Sequence, residues 1–388
     1  MAEKFRINGV LKEVINYGVW QEVFFSSDFG AGKNIKEFFP VYKRLAALIQ
    51  DEYDGVINEK IYCSRNVFED ITESHEKIWH DWQGKGKKHG FCCLEGASLG
   101  GGEVAGFQIR AFKLLDGSSC ITDFTINKDD AVFLLDWGKY KICYLTGFQG
   151  RSTNGALQVQ RELNTHRLIT QIFYIVLQHG FERQDVVRTW FYLDKIGEWY
   201  GSFNKVRRGV FENIGLGYHT HELLPASTGI GIYSGKGVVI TAEAIAVKSA
   251  SSQRIVRVLH NPIQKEAYEY GSLFSRGVSV DFGSSKVVYV SGTASIGEKG
   301  ESLYPKNPEK QIERTFKNIE TLISSEGCAL SDIKQATVYF KEPQDYETYR
   351  KICGQRINKE VPQVCMLAEI CRAELQFEME AIFSIART

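Results

Sequence analysis

Apolar and polar positions alternate near the end of the chain. Phe377, Met379, Ala381 and Phe383 fall on one face of an extended segment, and Gln376, Glu378 and Glu380 on the other. The stretch from Cys365 to Ile385 reads as two strands joined by a short turn near Ala373-Glu374. A helical period appears elsewhere. Ile169, Ile172, Phe173 and Val176 form an apolar stripe that stops at Gly180, and Ile312, Phe316, Ile319 and Ile323 form another that stops at Gly327. Phe38, Tyr42, Leu45 and Leu48 predict a further helix within 35–49, and Val10 to Phe25 predicts one or two strands.

The pattern repeats. Leu135-Asp-Trp-Gly-Lys-Tyr-Lys-Ile-Cys-Tyr-Leu-Thr-Gly147 aligns without a gap on Val280-Asp-Phe-Gly-Ser-Ser-Lys-Val-Val-Tyr-Val-Ser-Gly292. A helix follows each hairpin, then a matched strand (Asp185–Leu193 and Asp332–Phe340), a second helix and a closing strand. The order ββαβαββ predicts an α/β (α+β) fold of two tandem domains, each a mixed sheet covered on one face by two helices. Residues 116–250 are the first domain and 251–388 the second; residues 1–115 are an N-terminal segment expected to pack on the first domain. The uncovered sheet faces require a partner, which symmetric association of chains would supply.

Composition narrows the function. Basic and acidic residues balance at 47 each, without the basic excess of a nucleic-acid binder. No apolar run approaches the roughly 20 residues of a membrane span, and the first residues do not read as a signal peptide. Nine scattered cysteines with no C-x-x-C pair fit a reducing cytoplasm. His219-Thr-His221-Glu222 lacks a third ligand at a recognised spacing, so no metal and no cofactor are expected. Gly84 to His89 reads as an exposed loop.

The chemistry concentrates on the last strand. Carboxylates two residues apart on one strand face lie roughly 7 Å from each other, and burial would hold one of them protonated. Such a group is a general acid; the same group paired with Arg or Lys is an interface ion pair, and the pattern permits both. The repeat separates the two glutamates: Glu380 has Glu243 as its counterpart, whereas Glu378 has Thr241, which cannot serve as that acid. The first domain is therefore the degenerate copy and the second the candidate active site. Arg372 fits a carboxylate through its guanidinium fork, or an ion pair with Glu374 or Glu369.

Phe274-Ser-Arg-Gly-Val278, Tyr289-Val-Ser-Gly-Thr-Ala-Ser295, Gln311 to Asn318, Val338-Tyr-Phe340 and Phe377-Glu-Met-Glu-Ala381 resemble the Rid (YjgF-like) superfamily, whose small chorismate-mutase-like domains form trimers with ligand clefts between neighbours. The tandem chain, with Glu369-Ile-Cys-Arg372 before the Phe-Glu-Met-Glu strand, is most similar to the chorismatase branch. The resemblance covers roughly residues 130–388. It implies a homotrimer, a small carboxylate substrate, and a chorismatase-like hydrolase or lyase that releases pyruvate from an enol ether such as chorismate. It makes Glu378 the acid and implies substrate contacts at Phe274, Arg276 and Thr293, beside Arg372. Two positions depart from the superfamily. Gln363 stands where Rid deaminases carry an arginine, and the loop 297–308 contains none of the histidines typical of chorismatases. An imine or enamine deaminase and a non-catalytic trimeric scaffold are the other readings.

Overall fold

The computed structural model describes residues 6–387 apart from residues 8, 85–88, 116–119, 127–129, 153–155 and 252. Most of the run from Gly84 to His89 lies outside the described residues. Three six-stranded sheets follow one another along the chain. The first comprises β1 (Arg6–Ile7), β2 (Val10–Asn16), β3 (Trp20–Lys33), α1 (Ile35–Glu52), β4 (Gly55–Cys63), α2 (Phe68–Gly84), β5 (His89–Glu95) and β6 (Val104–Leu114). The second comprises β7 (Ile121–Ile126), β8 (Ala131–Asp136), β9 (Tyr140–Arg151), α3 (Leu157–Gln178), β10 (Val186–Leu193), α4 (Ile196–Asn213), β11 (Ala226–Gly231) and β12 (Val238–Ser249). The third comprises β13 (Val256–Leu259), β14 (Gly277–Asp281), β15 (Ser285–Ala294), α5 (Pro308–Ser324), β16 (Ile333–Phe340), α6 (Asp345–Arg356), β17 (Gln363–Leu367) and β18 (Phe377–Ala386).

The strand orders are the same: β1-β2-β3-β6-β4-β5, β7-β8-β9-β12-β10-β11 and β13-β14-β15-β18-β16-β17. The N-terminal residues thus form a third copy of the repeat rather than an accessory segment. The motif that marks it is Asn16-Tyr17-Gly18, which stands where the other copies have Asp136-Trp137-Gly138 and Asp281-Phe282-Gly283. In each turn the glycine N–H donates to the Asx side chain, at 2.8, 2.9 and 2.9 Å. In each the glycine takes a left-handed φ, near +89°, +80° and +81°, which a side chain would strain. Asn in place of Asp serves this turn equally well.

Each sheet packs one face on its two helices. In the third copy Phe377, Met379, Ala381 and Phe383 join Ile312, Phe316, Ile319 and Ile323 in one apolar core. α5 starts at Asn307, whose side chain accepts from the Lys310 N–H, with Pro308 next, the residue whose missing N–H costs a first helical turn nothing. The other faces turn toward one another around a common axis. Tyr17, Trp137 and Phe282 meet there, with ring centroids 4.9–6.0 Å apart.

Polar side chains tie the axis cyclically. Lys60 of the first sheet binds Glu243 of the second at 2.6 Å. Arg188 of the second binds Glu380 of the third at 2.6 Å, and Arg110 of the first donates to Gln335 of the third at 3.2 Å. The sheet faces expected to need other chains are thus covered within one chain. One further expectation changes. β17 and β18 are not a hairpin, because β16 lies between them, parallel to β17 and antiparallel to β18. Residues 368–376 connect the two strands, longer than the expected turn, and reach over the seam between sheets.

Candidate active site

Glu378 faces a cavity of about 50 Å³ between the second and third sheets. The third copy contributes Phe274, Arg276, Gly292 and Ala294, and the 368–376 connection adds Cys371, Arg372 and Leu375. From the second copy come Tyr200 and Arg207 on α4, and Ser227 and Gly229 on β11. Glu378 is 5% exposed. Burial, reinforced by the charge of Glu380, pushes its pKa up to about 8 against the opposing pull of Arg276 and Arg188. A carboxylic acid in this position is largely protonated at neutral pH.

Gly292 makes room for it. A Cβ there would come within 2.2 Å of Glu378 Oε1 and 3.1 Å of Thr228 Cγ2, and the Gly292 N–H donates to the Thr228 hydroxyl at 2.9 Å. Glu380, on the same strand face, has the other fate. It accepts from Arg188 at 2.6 Å and from Tyr339 at 3.1 Å, both buried.

Three arginines surround the acid. Arg276 donates to the Lys265 carbonyl at 3.0 Å and to the Tyr270 hydroxyl at 2.8 Å. Arg372 donates to the Gly300 carbonyl at 2.8 Å and lies 5.3 Å from the Tyr270 ring centroid. Arg207 is 2% exposed, donates to Asn204 at 2.7 Å, and leaves its Nε without a partner among the described residues. A buried cation with an unsatisfied N–H beside a cavity is disposed to hold an anion. Burial pushes the Cys371 thiol up to about 12, so it stays protonated and is no nucleophile.

Of the residues read from sequence, Glu378, Arg276, Arg372 and Phe274 come together in the cavity wall. Thr293 does not line it. Its hydroxyl donates to the Ser291 carbonyl at 2.8 Å and its register partner is Met379, a residue of the helix-side core, so Gly292 and Ala294 form the wall instead. Arg207 and Tyr200 belong to the neighbouring copy's helix and have no local signal. His219 and His221 lie on a 3₁₀ turn, Tyr218–Leu223.

Register relates the three seams. Glu378, Thr241 and Gly106 stand opposite the equivalent tyrosines Tyr339, Tyr192 and Tyr62. By the same pairing Gln363 corresponds to Ser227. Gln363 therefore belongs to the seam between the third and first sheets, where it is hydrogen-bonded to Tyr349. Ser227 instead lines the Glu378 cavity, and it carries no charge. The seam containing Gly106 is packed: a Cβ on Gly106 would sit 2.9 Å from Val364, and Asp28 accepts from Tyr346 at 3.3 Å.

Comparison with known proteins agrees with this architecture. The endoribonuclease L-PSP family model matches residues 272–385. A chorismatase of Streptomyces rapamycinicus is 27% identical over 243 residues, 56% of this chain and 69% of that protein. A 3-hydroxybenzoate synthase of Streptomyces hygroscopicus is 26% identical over 245 residues, 56% of this chain and 68% of that protein. The crystal structure of a chorismatase superposes with a TM-score of 0.63 at 15% identity, covering 96% of this chain and 99% of its own, which establishes a shared fold.

Proposed function

From a chain that belongs to the Rid superfamily and resembles its chorismatases, we propose an enzyme that hydrolyses or eliminates a small acidic enol ether, such as chorismate, with release of pyruvate. The observation that carries this reading is the buried Glu378 carboxyl, raised to about 8 and ringed by Arg207, Arg276 and Arg372. Protonating an electron-rich vinyl carbon requires an acid that still holds its proton near neutral pH, and Glu378 meets that requirement. The proton passes from Glu378 to the methylene carbon and the C=C electrons supply the new C–H bond. The resulting oxocarbenium ion takes up water, whose proton returns to the Glu378 carboxylate, and the hemiketal collapses to pyruvate and the alcohol. The arginines hold the substrate carboxylates and orient the vinyl group toward the acid.

A cavity of about 50 Å³ takes a few waters, not a ring-bearing substrate. Access in this mechanism requires outward movement of Tyr270, which is 37% exposed, together with the 368–376 connection. Ser227 stands at the position where the superfamily's deaminases carry an arginine, so an imine substrate would have to place its carboxylate on Arg207, Arg276 or Arg372 instead. The test is pyruvate release from chorismate by the purified chain, with kcat/KM falling as pH rises through about 8 because the acid loses its proton. No release would remove the reading. Ammonia release from an imino acid would replace it with deamination. A carboxylate that raises the melting temperature without turnover would leave a binding protein.

A further inference from the structure

The seam between the first and second sheets corresponds to the Glu378 seam, yet it holds a half-open cavity of about 950 Å³. Thr241, at the register of Glu378, has its hydroxyl 2.6 Å from that of Ser234, so that position carries no carboxyl. The wall carries other chemistry. Glu59 in the middle of β4, His75 on α2 and His89 at the start of β5 converge, with His75 Nε2 3.1 Å and His89 Nε2 2.6 Å from Glu59 Oε2. All three are at most 3% exposed, and their donor atoms lie within 4.8 Å of one another.

The hydrogen bonds within the trio do not satisfy it. Among the described residues, Glu59 Oε1 and His89 Nδ1 are buried without a hydrogen-bond partner of normal geometry. The Tyr42 hydroxyl, which accepts from Trp79, reaches Glu59 through a hydrogen-bonding contact as well as its charge, so the atom left clearly unpaired among the described residues is His89 Nδ1. Buried polar atoms left unpaired in this way carry a desolvation cost that a ligand would relieve. The rings are held by packing: His75 stacks on Phe91 at 3.5 Å between centroids, and Trp79 lies 4.2 Å from His89 and donates to Tyr42 at 2.7 Å. His75 and His89 line the cavity and Glu59 backs them.

We propose that Glu59, His75 and His89 bind one divalent transition-metal ion of the zinc or ferrous-iron class, with its remaining coordination positions open to the 950 Å³ cavity. Two imidazoles and a carboxylate are the donor set such ions take when positions are kept for water or an exogenous oxygen ligand. The site is independent of Glu378, in a different seam, and it departs from the expectation that the chain holds no metal. Separations of 16 residues between Glu59 and His75, and 14 between His75 and His89, form no short motif, so only the fold brings them together.

Chelator-treated full-length protein is titrated with Co(II), and Zn(II) is then added as competitor. His221 and His260 flank Glu222 on the surface at 3.3 and 3.0 Å, so the titration uses a His221→Gln background. The expected result is one equivalent bound, visible absorption bands of a low-coordinate Co(II) ion, and a rise in melting temperature with added Zn(II). His75→Gln and His89→Gln each weaken binding on the order of 100-fold or more. Failure of the His221→Gln protein to bind at about 100 µM free metal overturns the proposal. So does binding that survives the double His75→Gln/His89→Gln substitution. The first of these outcomes needs no variant at the site to fold.

Discussion

The cavity around Glu378 and the axis around Glu380 are built on the same strand face, two residues apart, and treat a carboxylate in opposite ways. At the axis Glu380 meets Arg188, Thr228 and Tyr339, and its charge is answered by a cation and hydroxyls. At the cavity Glu378 meets the Cα of Gly292 and a wall whose arginines are partly committed to backbone carbonyls. Burial is nearly equal, at 5% exposure for each. What differs is the partner: Glu380 has a buried cation and two hydroxyls on its oxygens, whereas Glu378 faces a glycine and a cavity.

The largest effect that would break this contrast is on catalysis. Glu378→Gln keeps the shape and removes the transferable proton, and pyruvate release is expected to fall by about 10²–10⁴-fold with the far-UV spectrum unchanged. The same variant sharpens the contrast through stability. Between the ordinary value of 4.5 and about 8, the folded protein holds a proton on Glu378 that the unfolded chain has released. Wild type therefore loses stability relative to Glu378→Gln as pH rises through that window, and denaturant midpoints at pH 5 and pH 8.5 measure the difference.

Next in size is the axis. Arg188→Ala strands Glu380 as a buried, uncompensated charge and is expected to cost about 3–5 kcal/mol in urea unfolding. A cost below about 1 kcal/mol would mean that the Arg188–Glu380 pair contributes little to the fold, and the contrast between the two glutamates would fall. Smallest is the spacing. Gly292→Ala pushes Glu378 off its place and is expected to lower kcat/KM on the order of 10²-fold, as misplacement by about 1 Å does. Unchanged kinetics would show that the carboxyl has room to spare.

Much of this contrast was legible in the sequence. The alternation from Phe377 to Phe383 identifies both the core face and the polar face, and the internal repeat separates Glu378 from Glu380. Local pattern could not supply what comes from a neighbouring copy. Arg207 and Tyr200 reach the cavity from a helix some 170 residues earlier in the chain. The deaminase comparison at Gln363 addressed a different seam, because the equivalent residue lining the Glu378 cavity belongs to the preceding copy and is Ser227. The first copy was missed although its turn, Asn16-Tyr17-Gly18, obeys the same chemistry as the two that were aligned. Asn for Asp and the divergent strands around it obscured a match that the hydrogen bond from glycine N–H to the Asx side chain makes plain.

The meeting of Tyr17, Trp137 and Phe282 also has a consequence for stoichiometry. Three copies joined in one polypeptide face one another at an effective concentration of roughly millimolar or above, so dilution does not separate them. A substitution in an assembly of three identical chains appears in every seam at once; here it appears in one. The seams have become individuals: one holds an acid, one is packed shut, and one is lined with histidines. A ligand that fits the Glu378 cavity should saturate at a single molecule per chain.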